Sequence, residues 1–224
     1  MRLRNIPGSR EEIAASPYVV HEDVMKEKKG SWQEVFGNPF PIYIEVGMGK
    51  GRFITQMALT HPDRNFVGIE KYSSVLVRAL QKREQQPELN NLLFLRMDAE
   101  ELTDVFGEGE VAGIYLNFSD PWPKERHAKR RLPSREFLER YRRILTLGGK
   151  VAFKTDNQEL FAFALQECEA AGWNLEYCTF DLHADAEQMK DNIMTEYEER
   201  YSAEGNPICK MVISPFHGEK DVVY

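Results

Sequence analysis

Glu45-Val46-Gly47-Met48-Gly49-Lys50-Gly51 lies between an apolar run, Pro41-Ile-Tyr-Ile44, and a helical stretch that begins at Arg52. Glycines at alternate positions free the backbone where a strand must turn sharply into a helix, or where a ligand must come close. The helix that follows offers unpaired N–H groups in its first turn. A purely structural turn accommodates such glycines equally well, so the neighbouring residues have to decide. The dinucleotide fingerprint sets its third small residue one place later, where helix and sheet pack closely. Here that place is held by Arg52.

A second strand, Asn65-Phe-Val-Gly-Ile69, is followed by Glu70. A carboxylate at this point can accept both hydroxyls of a ribose. Glu45, at the C-terminal edge of the first strand, would repel a pyrophosphate. It would attract ammonium and sulfonium charges, which are those of S-adenosylmethionine. After a third strand, Leu92-Leu-Phe-Leu95, Asp98 either accepts an adenine amino group or caps the helical segment 99–106, and both roles are compatible.

Strands are also expected at 111–118, 150–154, 175–182 and 208–214, with helices at 73–86, 134–147 and 158–171. Ser134 should cap the 134–147 helix and Gly148 should stop it. A charged helical stretch at about 185–204 separates the last two strands. Alternating strands and helices with continuous apolar strand runs predict an α/β fold. The expected architecture is Rossmann-like: a seven-stranded, mostly parallel sheet with one antiparallel strand and helices on both faces. Residues 1–40 have few apolar runs and read as an N-terminal extension to a domain spanning 41–224.

The fourth strand leads into Asn117-Phe-Ser-Asp120-Pro-Trp-Pro-Lys124. Two prolines this close forbid regular structure and fix the loop, and open α/β sheets bind substrate at such strand ends. Asp120 is therefore a candidate at the mouth of the site. Arg126, His127, Ala128, Lys129, Arg130 and Arg131 follow at once. The whole chain carries a net charge of −7, so a nucleic-acid partner requires charge to be segregated. Between 124 and 143 nine Lys and Arg face only Glu125, Glu136 and Glu139, which makes a basic patch on an acidic body.

These motifs resemble the bacterial tRNA (guanine-N7-)-methyltransferases, class I S-adenosylmethionine-dependent enzymes. The resemblance rests on Glu45 to Gly51, Gly68-Ile-Glu70, Asp98, Asp120-Pro-Trp-Pro-Lys124, Arg126 to Arg131, Thr155-Asp156-Asn157 and Thr195-Glu-Tyr-Glu-Glu-Arg200. It runs in the same order over nearly all of the chain from about residue 40. It implies methyl transfer from S-adenosyl-L-methionine to N7 of a guanine in the tRNA variable loop, position 46, giving 7-methylguanosine. By resemblance, Glu45, Gly47, Gly49, Gly51, Glu70, Asp98 and Asp120 form the donor site, and Asp120 is the catalytic residue. Lys124, Asp156, Thr195, Glu196, Tyr197 and Glu198 would hold the guanosine, and residues 126–131 would meet the RNA.

Guanine N7 has a free in-plane lone pair, so no general base is needed. The enzyme must align acceptor, methyl carbon and sulfur, which is catalysis by positioning. A carboxylate near the ring would stabilise the charge that develops on it. Asp120 either does this or orients the donor; Trp122 either stacks on the extruded base or packs under the loop. A small-molecule methyltransferase has no use for the basic run at 126–131. An exocyclic-amine methyltransferase would carry a different aromatic and proline pattern than Asp-Pro-Trp-Pro, and the intact donor loop argues against a non-catalytic RNA-binding module.

Cys168, Cys178 and Cys209 are odd in number and lack metal-ligand spacing, so they are expected to be reduced and buried, with no metal. The N-terminus has no apolar signal core, and no run approaches the roughly 18 apolar residues of a membrane span. A cytoplasmic enzyme, monomeric or homodimeric, is expected.

Overall fold

The computed structural model describes residues 6–216. In chain order the elements are α1 (Ser9–Ala15), β1 (Val19–Val20), α2 (Trp32–Phe36), β2 (Ile42–Val46), α3 (Arg52–Thr60), β3 (Asn65–Ile69), α4 (Ser73–Arg83), β4 (Leu92–Leu95), α5 (Leu102–Val105), β5 (Val111–Asn117), α6 (Arg135–Ile144), β6 (Leu145–Thr155), α7 (Gln158–Ala170), β7 (Trp173–Thr179), α8 (Ala186–Lys190), α9 (Glu196–Ala203) and β8 (Cys209–Pro215). A short 3₁₀ segment spans Glu125–Arg130, and another spans Leu182–Ala184.

The sheet order is β1-β4-β3-β2-β5-β6-β8-β7. Neighbours from β1 to β6 are parallel, and β8 runs antiparallel to both β6 and β7. β3 is buried along its whole length, as a strand covered on both faces must be. Phe66 packs in a cluster with Ile13, Phe53, Ile54 and Leu80 of α1, α3 and α4. Val67, the next residue, joins the opposite cluster with Phe137, Tyr141 and Phe161 of α6 and α7. The order of the parallel strands reverses at the seam between β2 and β5. Open α/β sheets bind ligands beyond the strand ends at such a seam.

Eight strands form where seven are expected. The additional one, Val19–Val20, comes from the N-terminal segment and pairs with Phe94 and Leu95 at the sheet edge. Two residues are too few to show a strand period in sequence. Helix α6 stops at Ile144 rather than 147, because Leu145 enters the ladder opposite Val111. Gly148, with φ 80°, lies within β6 instead of closing the helix. The Ser134 hydroxyl does not cap α6: it donates to the Lys129 carbonyl at 3.4 Å, and the Arg135 N–H goes to the Glu167 carboxylate at 2.7 Å. The charged stretch before β8 splits into α8 and α9. Cys168 and Cys209 are buried and Cys178 is half-buried. Among the described residues no helix is long and apolar enough to cross a membrane.

The N-terminal segment is fastened to the core by Trp32, which is 0% exposed. Its ring stacks on Phe106 with centroids 5.1 Å apart, and its Nε1 donates to the Val105 carbonyl at 2.9 Å. The Glu110 carboxylate accepts from the N–H groups of Gly30, Trp32 and Gly107. Trp32→Ala should therefore lower the unfolding free energy by about 3–5 kcal/mol. Denaturant unfolding followed by circular dichroism should show one transition at a lower midpoint; an unchanged midpoint would show the segment to be energetically separate.

Candidate active site

The glycine loop joins β2 to α3 with Gly47, Gly49 and Gly51 all at positive φ. At Gly51 a Cβ would also stand 2.7 Å from the Ala79 Cβ, so glycine is required there twice over. Gly47 and Met48 donate their N–H groups to the Ile69 carbonyl, which pins the loop to the end of β3.

Glu45 is the penultimate residue of β2 and is only 1% exposed. Its Oε1 accepts from Asn117 Nδ2 at 2.8 Å, directly across the β2–β5 seam. Its Oε2 is buried without a partner. Burial pushes the carboxyl up to about 8, against the opposing pull of Asn117, Lys154 and the Ile54 backbone N–H, whose approach falls short of hydrogen-bond geometry. A buried acceptor left unpaired costs free energy, and a ligand ammonium would satisfy it. The residues thus fit the cationic amino-acid end of a methyl donor.

Glu70 is buried, which raises its carboxyl, and the Tyr72 and Gly49 N–H groups oppose the rise. Its Oε1 accepts from Tyr72 at 2.9 Å and its Oε2 from Gly49 at 3.2 Å, so it braces the glycine loop. Asp98 does cap the next segment, with Oδ1 accepting from the Glu100 N–H at 3.1 Å, and its Oδ2 pairs with Lys71. The charge of Glu70 reaches Glu45, and that of Asp120 reaches Glu70. The three carboxylates thus stand near enough along the strand ends for their charges to act on one another in sequence.

Asp120 is exposed at the mouth, in a loop with unusual backbone. Phe118 (φ 51°) and Trp122 (φ 41°) are the two non-glycine residues in the left-handed region among those described. Such strain persists only where the surroundings impose it. Arg131 supplies much of that restraint. Its guanidinium donates to the Pro121 and Trp122 carbonyls at 3.0–3.3 Å and lies 4.4 Å over the Phe163 ring. Arg130 lies over Trp122, and His127 meets the same ring edge-on. Ala128 is half-buried, while Lys124, Arg126, Lys129 and Arg130 are exposed. Of the basic run, Arg131 is thus committed to the loop.

Asp156 follows β6 and accepts from the Tyr197 hydroxyl at 3.4 Å. Tyr197 stacks on Tyr201 and touches Phe118, two residues from Asp120. Thr195 caps α9, its hydroxyl accepting from the Glu198 N–H at 2.9 Å. Glu196 pairs with Lys50 of the glycine loop and with Lys82, and Glu199 pairs with Arg52. Glu198 is 0% exposed. It accepts from Lys154 Nζ at 2.6 Å, from Asn192 Nδ2 at 2.7 Å, and pairs with His183 Nε2 at 3.1 Å. Burial works to raise this carboxyl, and Lys154 first among its partners outweighs it and holds it low.

Asn117, Phe118, Lys154, His183 and Asn192 are not singled out by sequence motifs. One cue is present: Thr195 and Glu198 stand at capping-box spacing. The threonine half of the box forms, while the glutamate turns away to Lys154. A second cue is Lys154 itself, a charge inside an apolar strand run, which demands a buried partner.

A family model described as "putative methyltransferase" matches residues 39–211. A tRNA (guanine-N(7)-)-methyltransferase of Lachnoclostridium phytofermentans is 61% identical, over 95% of this chain and 97% of its own length. The chain belongs to the tRNA (guanine-N7-)-methyltransferase family. A relative from Geobacillus sp. with the same description is 51% identical, over 97% of this chain and 98% of its own. Among solved structures, the 16S rRNA methyltransferase KamB superposes with a TM-score of 0.59 at 18% identity, covering 84% of this chain and 94% of that one. An adenine(1408)-N(1) 16S rRNA methyltransferase from Catenulisporales acidiphilia, solved with S-adenosylmethionine, gives 0.57 at 14%, covering 85% and 92%. These likenesses show the class I S-adenosylmethionine-dependent methyltransferase fold.

A cation set against Glu45 Oε2 favours the ionised form of a carboxyl that otherwise titrates near 8. Binding of S-adenosylmethionine at pH 7 should therefore release close to one proton, and the release should fade above about pH 8. Calorimetry in buffers of different ionisation enthalpy reads this directly. Glu45→Gln should bind more weakly and without the proton; an unchanged buffer dependence would remove Glu45 from the donor site.

Proposed function

We propose that the chain methylates the guanine at position 46 in the tRNA variable loop, with Asp120 as its catalytic residue. The reaction of this family member is transfer of the methyl group of S-adenosyl-L-methionine to N7 of guanine in tRNA, giving 7-methylguanosine. What supports the site assignment is the run of carboxylates at neighbouring strand ends, Glu45, Glu70 and Asp120, whose charges act on one another, with Tyr197 of α9 against Phe118 beside Asp120.

On this reading Glu45 holds the donor ammonium, and Gly47, Gly49 and Gly51 let the donor approach the backbone. Glu70 takes the ribose hydroxyls and Asp98 the adenine. The donor, when bound, supplies an electrophilic methyl group on a sulfonium, and N7 needs no deprotonation before it attacks. The protein's part is then placement and charge. Asp120, fixed by prolines and by Arg131, sets a carboxylate where the purine becomes cationic. Asp156, Thr195 and Tyr197 face the cleft and orient the base, with Lys124 toward O6 or a phosphate. Glu196 and Glu198 act by holding α9. Arg126, Lys129 and Arg130 carry the phosphate contacts, with His127, Ala128 and Arg131 shaping the surface beneath them. Extruding the base from folded tRNA costs a few kcal/mol, supplied by those contacts. Residues 41–224 form the methyltransferase domain and residues 1–40 an extension that completes its sheet. The enzyme works in the cytoplasm as a monomer or homodimer.

The decisive experiment incubates the protein with unmodified tRNA and labelled donor, followed by nuclease digestion and nucleoside mass analysis. 7-Methylguanosine should appear, and should disappear when guanine 46 is replaced by adenine. Methylation that persists in that tRNA would refute the position. Asp120→Ala should lower kcat by about 100-fold or more while tRNA still binds. Joint replacement of Arg126, Lys129 and Arg130 by Ala should raise KM for tRNA more than it lowers kcat. It should also flatten the salt dependence of binding by about 0.7–0.9 for each phosphate that is no longer neutralised.

A further inference from the structure

Lys154 sits near the end of β6, only 4% exposed. A lysine ammonium has three N–H donors, and here each has an acceptor: Glu198 Oε2 at 2.6 Å, Asn192 Oδ1 at 3.1 Å and the Ile193 carbonyl at 3.0 Å. Glu198 is in turn held by Asn192 and by His183 from the Leu182–Ala184 turn. One buried hub thus joins the end of β6, the exit from β7 and the first turn of α9. In the β5–β6 ladder Lys154 stands opposite Asn117. Asn117 reaches to Glu45 on the donor side, and Lys154 reaches to Glu198 on the acceptor side. A single rung of the sheet therefore anchors both halves of the cleft.

The remaining ion pairs between α9 and the body come from Lys50, Lys82 and Arg52, whose side chains are a third or more exposed. Exposed pairs of this kind contribute about 0–1 kcal/mol each. Tyr197 also meets Asp156 and Phe118 at the exposed face of α9, and the buried hub is what ties the first turn of the helix, with Thr195, to the sheet. We propose that Lys154 is a positioning residue for methyl transfer, acting through Glu198 to hold α9 against the acceptor base. The inference rests on the reading that α9 faces the substrate guanine.

Removing Lys154 alone leaves a buried, uncompensated carboxylate and threatens the fold, whereas replacing both partners by apolar side chains of similar size is often neutral or stabilising. The test therefore uses the double variant Lys154→Met/Glu198→Met and, separately, Asn192→Ala, which keeps both charges and loosens the hub. Each is assayed for unfolding midpoint, donor affinity, and kcat and KM on unmodified tRNA. We expect the double variant to stay folded and bind donor within about threefold of the parent. Its kcat should be about 100-fold lower, the scale of an ångström-sized misplacement, with KM for tRNA little changed. Asn192→Ala should fold normally and lose about 10-fold in kcat. Parental kcat in either folded variant, or an effect confined to KM, would overturn the proposal. If the parent protein itself makes no 7-methylguanosine, the functional reading fails instead, and the two failures are thereby told apart.

Discussion

The site depends on a carboxylate placed where water cannot reach it. Glu45 is nearly sealed at the β2–β5 seam, with one oxygen satisfied by Asn117 and the other left open. An isolated buried negative charge is costly, and a group so placed tends to take up a proton. The fold tolerates it because Asn117 and Lys154, on β5 and β6, and the Ile54 N–H at the start of α3 partly compensate. A cationic ligand set against the second oxygen would complete the compensation. On the proposed reading the donor site is an electrostatic gap built into the fold, and a preference for positive charge would follow from burial and not from any one contact.

The Asp120 loop and helix α9, the proposed acceptor side, are held differently. The Asp120 loop is rigid through covalent and steric means: two prolines, two left-handed non-glycine residues, and a guanidinium tied to two carbonyls. Helix α9 is held by charge instead, with exposed pairs outside and one buried pair inside. Reaction by alignment needs both surfaces to stand still relative to one another. The contact of Phe118 with Tyr197 and the shared rung of Asn117 and Lys154 are where the two surfaces meet.

Several motif residues are engaged by partners within the protein itself. Arg131 belongs to a basic run that looks uniform in sequence, yet its donors are engaged by the loop ten residues before it. Glu198 sits in the most acidic part of α9, yet it is the residue of that segment with no exposure at all. Sequence presents both as members of a charged stretch. Which way each points is set by a partner well removed along the chain: Lys154 is 44 residues from Glu198. Neither periodicity nor spacing encodes a contact of that range.

The sequence alone determined the fold class, the place of the glycine loop between β2 and α3, and the carboxylates at the strand ends beside it. Each of these depends on local physics: glycine's backbone freedom, proline's rigidity, apolar strand runs, and carboxylates that must emerge at strand ends. Tertiary structure alone decided the eighth strand, because Val19–Val20 is held by pairing with β4 and by no pattern of its own. It also ended α6 at Ile144, where the ladder captured Leu145, and it separated the polar residues facing the cleft from those buried behind it. That last choice is made by desolvation, which depends on everything packed around a group and not on its neighbours in sequence.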